Sequence, residues 1–128
     1  FGLTQADRNL VEARAMTVVS ETYEAQGWLL LDTSLTRPYD FWAQRGDEER
    51  FIEVKGTTGK GRSVILTHGE VKHARNNQGK SALVVVSEIE LVGEAGVKSA
   101  LGGRRTIINE PWVINETNLN ATQYRYDV

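Results

Sequence analysis

Two short segments of this chain carry residues whose types and spacing suit phosphoryl chemistry. Tyr39-Asp40-Phe41 supplies one acid, and Ile52-Glu53-Val54-Lys55 supplies a second acid followed, one residue on, by a lysine. Gly46-Asp47-Glu48-Glu49 reads as a turn between them, so the two segments are expected to pair as adjacent strands with Asp40 beside Glu53. Ile52 and Val54 then face one way, and Phe51, Glu53 and Lys55 the other. Residues two apart on a strand share a face at about 6.5 Å, which brings two carboxylates and an ammonium ion into one pocket. Hard oxygen ligands in this number suit Mg²⁺, with Mn²⁺ as its substitute. Such an ion polarises a phosphoryl oxygen and lowers the pKa of a bound water, while Lys55 positions that water or stabilises charge developing on phosphorus. Taken alone, Glu-x-Lys is more simply a cross-strand salt bridge on an exposed face. It is the wider setting that favours chemistry.

The elements that must position these side chains are legible in outline. Residues 4–26 read as a helix with Thr4 and Asp7 in capping positions and Gly27 as the stop. Glu12, Met16, Val19 and Tyr23 recur there at helical spacing. Glu12 thus continues an apolar stripe and is expected to point inward, where a metal would compensate a buried carboxylate. Residues 28–31 and 39–43 read as strands, the latter opened by Pro38, and residues 50–55 follow as a third. A glycine-rich loop, Gly56–Gly61, leads to residues 63–67 as a fourth strand candidate. Residues 69–77 read as a second helix with Thr67 as N-cap and Glu70 in its first turn, where an acid suits the helix dipole. On that ground Glu70 is taken as a helix-terminal or structural acid, with an accessory role at the site as the alternative. Ala82-Leu83-Val84-Val85-Val86 is the interior of a strand buried on both faces, running on toward Leu91. Residues 106–108 and 124–128 are candidate edge strands, and residues 111–118 hold a candidate helical turn. This order predicts an α/β domain with a mixed sheet.

These landmarks resemble the PD-(D/E)XK nuclease superfamily and, within it, the NO VEIN C-terminal family. The residues that carry the resemblance are Val11-Glu12-Ala13, Gly27-Trp28, Pro38-Tyr39-Asp40-Phe41, Ile52-Glu53-Val54-Lys55-Gly56-Thr57, Leu66-Thr67 with Glu70, Ala74, and Leu83-Val84-Val85-Val86. Their order and spacing, over about residues 11–91, are more specific than any one of them. The resemblance implies a restriction-endonuclease-like αβββαβ core, a mixed central sheet flanked by helices. It implies Asp40 and Glu53 as metal ligands, with Val54 between Glu53 and Lys55 counted among the metal contacts, Lys55 as the catalytic lysine, and Glu12 as an additional acid from the first helix. It further implies a DNA-cleaving module of a restriction or phage-defence protein, attached to or partnered by a DNA-reading, ATPase or helicase domain. Cutting both strands would need two sites and hence a homodimer. The alternative is a non-catalytic module of the same fold that docks nucleic acid or protein.

Composition bounds the remainder. The 128 residues suit one domain, here divided into a core over residues 4–91 and a C-terminal extension over residues 92–128 that packs on it. The chain starts at Phe1 and is expected to be a piece of a longer protein. It has no cysteine, which excludes disulfides, thiolate metal sites and a cysteine nucleophile. Apolar runs of about five residues fall far short of the roughly 20 that span a bilayer, so no membrane partner and a cytoplasmic location are expected. Net charge is −2, yet residues 55–80 hold Lys55, Lys60, Arg62, Lys72, Arg75 and Lys80 against Glu70 alone. This cationic island is the asymmetry expected where a phosphate backbone is met locally, and Lys60, Arg62, Lys72 and Arg75 are its candidate contacts; a solvated surface is the simpler reading of the same charges. Gly56–Gly61 lacks P-loop spacing. His68 and His73 lack further ligands for zinc, and no nucleophile elbow is present. Trp28, Trp42 and Trp112 are expected to pack rather than to stack bases.

Overall fold

The computed structural model describes residues 2–128, excepting the side chains at positions 104 and 105. Helix α1 spans Gln5–Ala25 and starts in a capping box, the Thr4 hydroxyl accepting from the Asp7 N–H at 3.0 Å and the Asp7 carboxylate accepting from the Thr4 N–H at 3.2 Å. Gly27, at φ 88°, lets the chain reverse out of it. Strands β1 (Leu29–Asp32), β2 (Phe41–Arg45) and β3 (Glu48–Gly56) follow as an antiparallel meander. Helix α2 (His68–Asn76) is the crossover that allows β4 (Ser81–Val92) to lie parallel to β3, and β5 (Ser99–Asn109) returns antiparallel to β4. The sheet order is β1-β2-β3-β4-β5. The protein is therefore an α/β fold on a mixed sheet, with the expected succession of helix, three strands, helix and strand, and β5 added at the far edge.

Each face of the sheet has its own core. Val11, Ala15, Val19 and Tyr23 of α1 pack on Ile52, Val54, Ala82, Val84 and Val86. On the opposite face Ala74 of α2 and Trp112 cover Leu83 and Val85. This explains the uninterrupted apolar run of β4, whose alternate residues serve two cores. Among the described residues no helix is long and apolar enough to cross a membrane.

Three sequence expectations are corrected. The buried stripe of α1 is Asp7, Val11, Ala15, Val19 and Tyr23; it passes through Val11 and Ala15 rather than Glu12 and Met16, and Glu12 is exposed. The cause is the close approach of α1 to the end of β3, where a Cβ on Gly56 would sit 2.7 Å from the Ala15 Cβ and 3.0 Å from the Val11 carbonyl oxygen. Only small side chains fit that crossing. Residues 63–67 form no strand. Val64 and Leu66 do turn inward against the Trp112 core while Ile65 points out, but β3 and β4 pair directly with each other and leave no slot in the sheet. Residues 124–128 are likewise not a strand; Tyr124 and Tyr126 are each 86% exposed. The expected helical turn near residues 111–118 is a 3-10 helix at Glu116–Asn118. The segment after β5 is fastened to α1 through Glu110, which accepts from the Tyr23 hydroxyl and, at 3.0 Å, from Arg50 Nε.

Candidate active site

Asp40 stands one residue before β2, where the β2–β3 ladder ends. Its backbone extends the ladder, with its N–H donating to the Ile52 carbonyl at 2.8 Å and its own carbonyl accepting from the Thr33 N–H at 2.8 Å. The Thr33 hydroxyl donates to the Tyr39 carbonyl at 2.9 Å, and the Tyr39 ring packs on Phe51 and His73. The approach to Asp40 is thus pinned from both sides. Since Phe41 is in register with Ile52, the next step puts Asp40 opposite Glu53. The Asp40 carboxylate then takes the ladder position that β2 no longer fills, accepting from the Val54 N–H at 2.8 Å. Val54 contributes this N–H and, on the other face, a side chain buried under α1.

Glu53 and Lys55 project onto the α2 face, beside Leu83 and Val85 in register on β4. Glu53 is 4% exposed. Lys55 Nζ lies 3.5 Å from Glu53 Oε1, and 3.0 and 3.3 Å from Glu70 Oε1 and Oε2. Glu70 is fixed by its own helix: its Oε1 accepts from the Thr67 N–H at 2.8 Å, and its N–H donates to the Thr67 hydroxyl at 3.1 Å. The capping box that starts α2 therefore also holds the lysine. Sequence reasoning placed Glu70 mainly as a helix-terminal acid, and its reach to Lys55 required knowing that α2 begins over the end of β3.

Crowding three carboxyl groups around one ammonium ion sets their protonation. Burial, then hydrogen bonding to Glu70 and the nearby Asp40 and Glu70 charges, pushes Glu53 up to about 10, so it holds a proton at neutral pH. Burial also raises Asp40, with the Val54 N–H opposing it. For Glu70 burial is outweighed by hydrogen bonds from Glu53, the Thr67 N–H and Lys55, which hold it below the usual range. Lys55 is held above its usual value because those acids outweigh its burial. The arrangement thus shifts Lys55 and Glu70 toward their charged forms, and Asp40 and Glu53 away from theirs.

These groups line a cleft of about 320 Å³ together with Gly56 at the end of β3, Thr57 and Thr58 just after it, and Arg8, Val11 and Glu12 from α1. Glu12 lies on its rim. No group of three or more His, Asp or Glu side chains among the described residues is arranged to hold a metal ion; Asp40 and Glu53 are two carboxyl groups lining the cleft. Two hard oxygen donors beside a solvent-open cleft fit an ion such as Mg²⁺, which keeps several waters. An incoming cation would also offset the excess of carboxyl groups that Glu53 now relieves by holding a proton.

The cationic island is less open than its charge suggests. Lys55 is drawn into the cluster, Lys60 pairs with Glu88 at 2.6 Å, and Arg75 pairs with Glu116. Lys72 is exposed on α2, and Arg62 is exposed on the wall of a second groove. The glycine-rich loop is stitched to β4, with Thr57 N–H donating to Val86 at 3.0 Å, Ile89 N–H to Thr57 at 3.1 Å and Glu88 N–H to Gly59 at 2.9 Å. Partial burial lowers the His73 pKa, and its ring packs against both Tyr39 and Phe51, which also touch each other. Trp28 and Trp112 are buried, as packing residues should be, and Trp28 lies under the Arg45 guanidinium at 4.5 Å. No curated protein and no solved structure matches the chain. Over residues 11–99, well over half of its length, the sequence matches the family described as Protein NO VEIN, C-terminal, and the chain belongs to that family.

Proposed function

We propose that this chain is a Mg²⁺-dependent endonuclease domain of PD-(D/E)XK type, hydrolysing DNA phosphodiester bonds as the cleavage module of a restriction or phage-defence protein. The observation that carries the reading is the convergence of Asp40, Glu53 and Lys55 at one end of the β2–β3 ladder, in a cleft open to solvent. Asp40 and Glu53 are the residues that would hold the ion, Glu53 releasing its proton as it does so. When bound, the ion supplies a polarised phosphoryl oxygen and a more acidic water. Lys55, kept charged and oriented by Glu70, donates a hydrogen bond to the attacking water or to a nonbridging oxygen of the phosphate, where negative charge grows. Glu12 contributes from the rim, at the water or at a second ion. Lys72 and Arg62 meet the phosphate backbone, and Lys60 and Arg75 join by exchanging their weak, solvent-screened ion pairs for phosphate. Choice of target falls to an attached or partner DNA-reading, ATPase or helicase domain, and cutting both strands falls to a pair of copies.

A second reading follows from the same cluster. Lys55 pairs with Glu53 and Glu70, and Asp40 is held by the Val54 N–H, without any ion, which is what a structural ion network in a non-catalytic docking module needs. Incubating the protein with plasmid in Mg²⁺, Mn²⁺ or EDTA separates the two. The nuclease reading expects metal-dependent nicking that Asp40→Ala and Lys55→Ala abolish while DNA binding persists. Undiminished nicking by both variants would sink it.

A further inference from the structure

A second groove lies on the α2 face of the sheet, beginning on the strand next to the acidic cluster. Glu53 is in register with Leu83, and Leu83 with Asn109. The groove floor therefore begins on the strand beside the cluster, with each strand adding about 4.8 Å. One connection serves both sites: Thr57 and Thr58 line the acidic cleft, and the continuation from Arg62 to Leu66 forms a wall of the groove. The groove encloses about 650 Å³, within the roughly 300–1,000 Å³ of pockets that take small ligands.

Its chemistry differs from that of the cleft. The floor is apolar, with Leu83 and Trp112 at 7% and 8% exposure, and the rim carries Arg62 and the exposed carboxamides of Asn109, Asn118 and Asn120. None of the described residues lining it is acidic, although the chain as a whole is net negative. A carboxamide sets a donor beside an acceptor, which is the pattern a base edge pairs with. An apolar floor receives a ring face, and an arginine at the rim meets the adjoining phosphate. A neutral, amide-lined wall with one cation admits a polyanion that the acidic surface elsewhere would repel.

We propose that this groove holds one base of the nucleic-acid strand whose phosphate is presented to Asp40, Glu53 and Lys55, with Arg62 on the intervening backbone; the inference rests on the nuclease reading. The base enters unpaired or is drawn from the stack, so single-stranded or weakly paired positions are favoured.

The test uses the 128-residue chain and short single-stranded oligonucleotides, with a single abasic residue moved stepwise along the strand, bound at low salt in EDTA. Affinity is expected to fall about tenfold at one position only. The double variant Asn109→Ala/Asn120→Ala, with an unchanged unfolding midpoint, should bind the intact strand about tenfold more weakly and lose the dependence on the abasic position. Binding that is equal for every abasic position overturns the groove and leaves the nuclease reading to the nicking assay. A position effect that persists unchanged in the double variant also overturns it. No binding of any oligonucleotide at low salt overturns the groove and the nuclease reading together.

Discussion

Lys55 is worth most to this site if its ammonium ion stays charged and stays still, and Glu70 provides both conditions. Replacing Glu70 by glutamine preserves the acceptor that Thr67 needs, since Gln serves a capping box as well as Glu does, but it removes the charge beside Lys55. Glu70→Gln is therefore expected to fold normally and to lower kcat about 10- to 100-fold with little change in KM, a split that a purely structural role would not give. Equal kcat for the two proteins would remove Glu70 from the mechanism. Glu53 makes a separate claim on pH. Its ordinary value of 4.5 rises to about 10 in the fold, so across that window the native state holds a proton that the unfolded chain has lost. Stability without metal should then fall as pH rises from about 4.5 toward 10, by at most about 1.4 kcal/mol per pH unit. Asp40 acts in the same direction, whereas lowered Glu70 and raised Lys55 affect stability mainly below 4.5 and above 10.5. Denaturant titrations at pH 6 and 9 measure the slope, and Glu53→Gln should flatten it. A slope that Glu53→Gln leaves intact would mean that another group is responsible.

At the scale of elements, the site depends on two junctions. One is the crossing of α1 over Gly56, where the Ala15 and Val11 contacts leave no room for a Cβ. Gly56→Ala should cost about 1–3 kcal/mol through overpacking, read as a shift in the denaturant midpoint at constant m. It should also reduce cleavage, because the same crossing brings Glu12 to the rim of the cleft. The other junction is the premature end of β2, which leaves the Val54 N–H for Asp40. The strands themselves were readable from alternation and turn residues, and so was the pairing of Asp40 with Glu53. The irregular path of residues 63–67 was not, since Val64-Ile65-Leu66 alternates like a strand while the partner it would need is already taken. The α1 stripe was misread for a related reason: Ala15 is a weak hydrophobic signal beside Met16, and only the proximity of Gly56 makes the small residue the buried one.

For the whole molecule, the nuclease reading makes the charge distribution decide how DNA would be held. With Lys55 inside the cluster and Lys60 and Arg75 in ion pairs, the cationic island offers fewer open charges to phosphate than its composition suggests. Affinity for duplex DNA should be weak and should fall with salt at a slope of about −0.9 per phosphate engaged. Lys72→Ala and Arg62→Ala should each reduce that slope by about one while leaving stability unchanged, measured by fluorescence anisotropy across a salt series. A slope unaffected by either change would place the DNA on another face. The sequence by itself determined the α/β class, the order of elements, and the juxtaposition of two acids and a lysine, because alternation along a strand and a short turn are local properties. Tertiary structure alone decided that α2 starts above the end of β3 and so gives Lys55 its partner, and that α1 turns Val11 inward and leaves Glu12 exposed. It also decided that the connection after β3 borders a second, amide-lined groove. Those outcomes depend on how closely layers approach and which neighbour is already paired, and neither distance nor occupancy is written in the spacing of one chain.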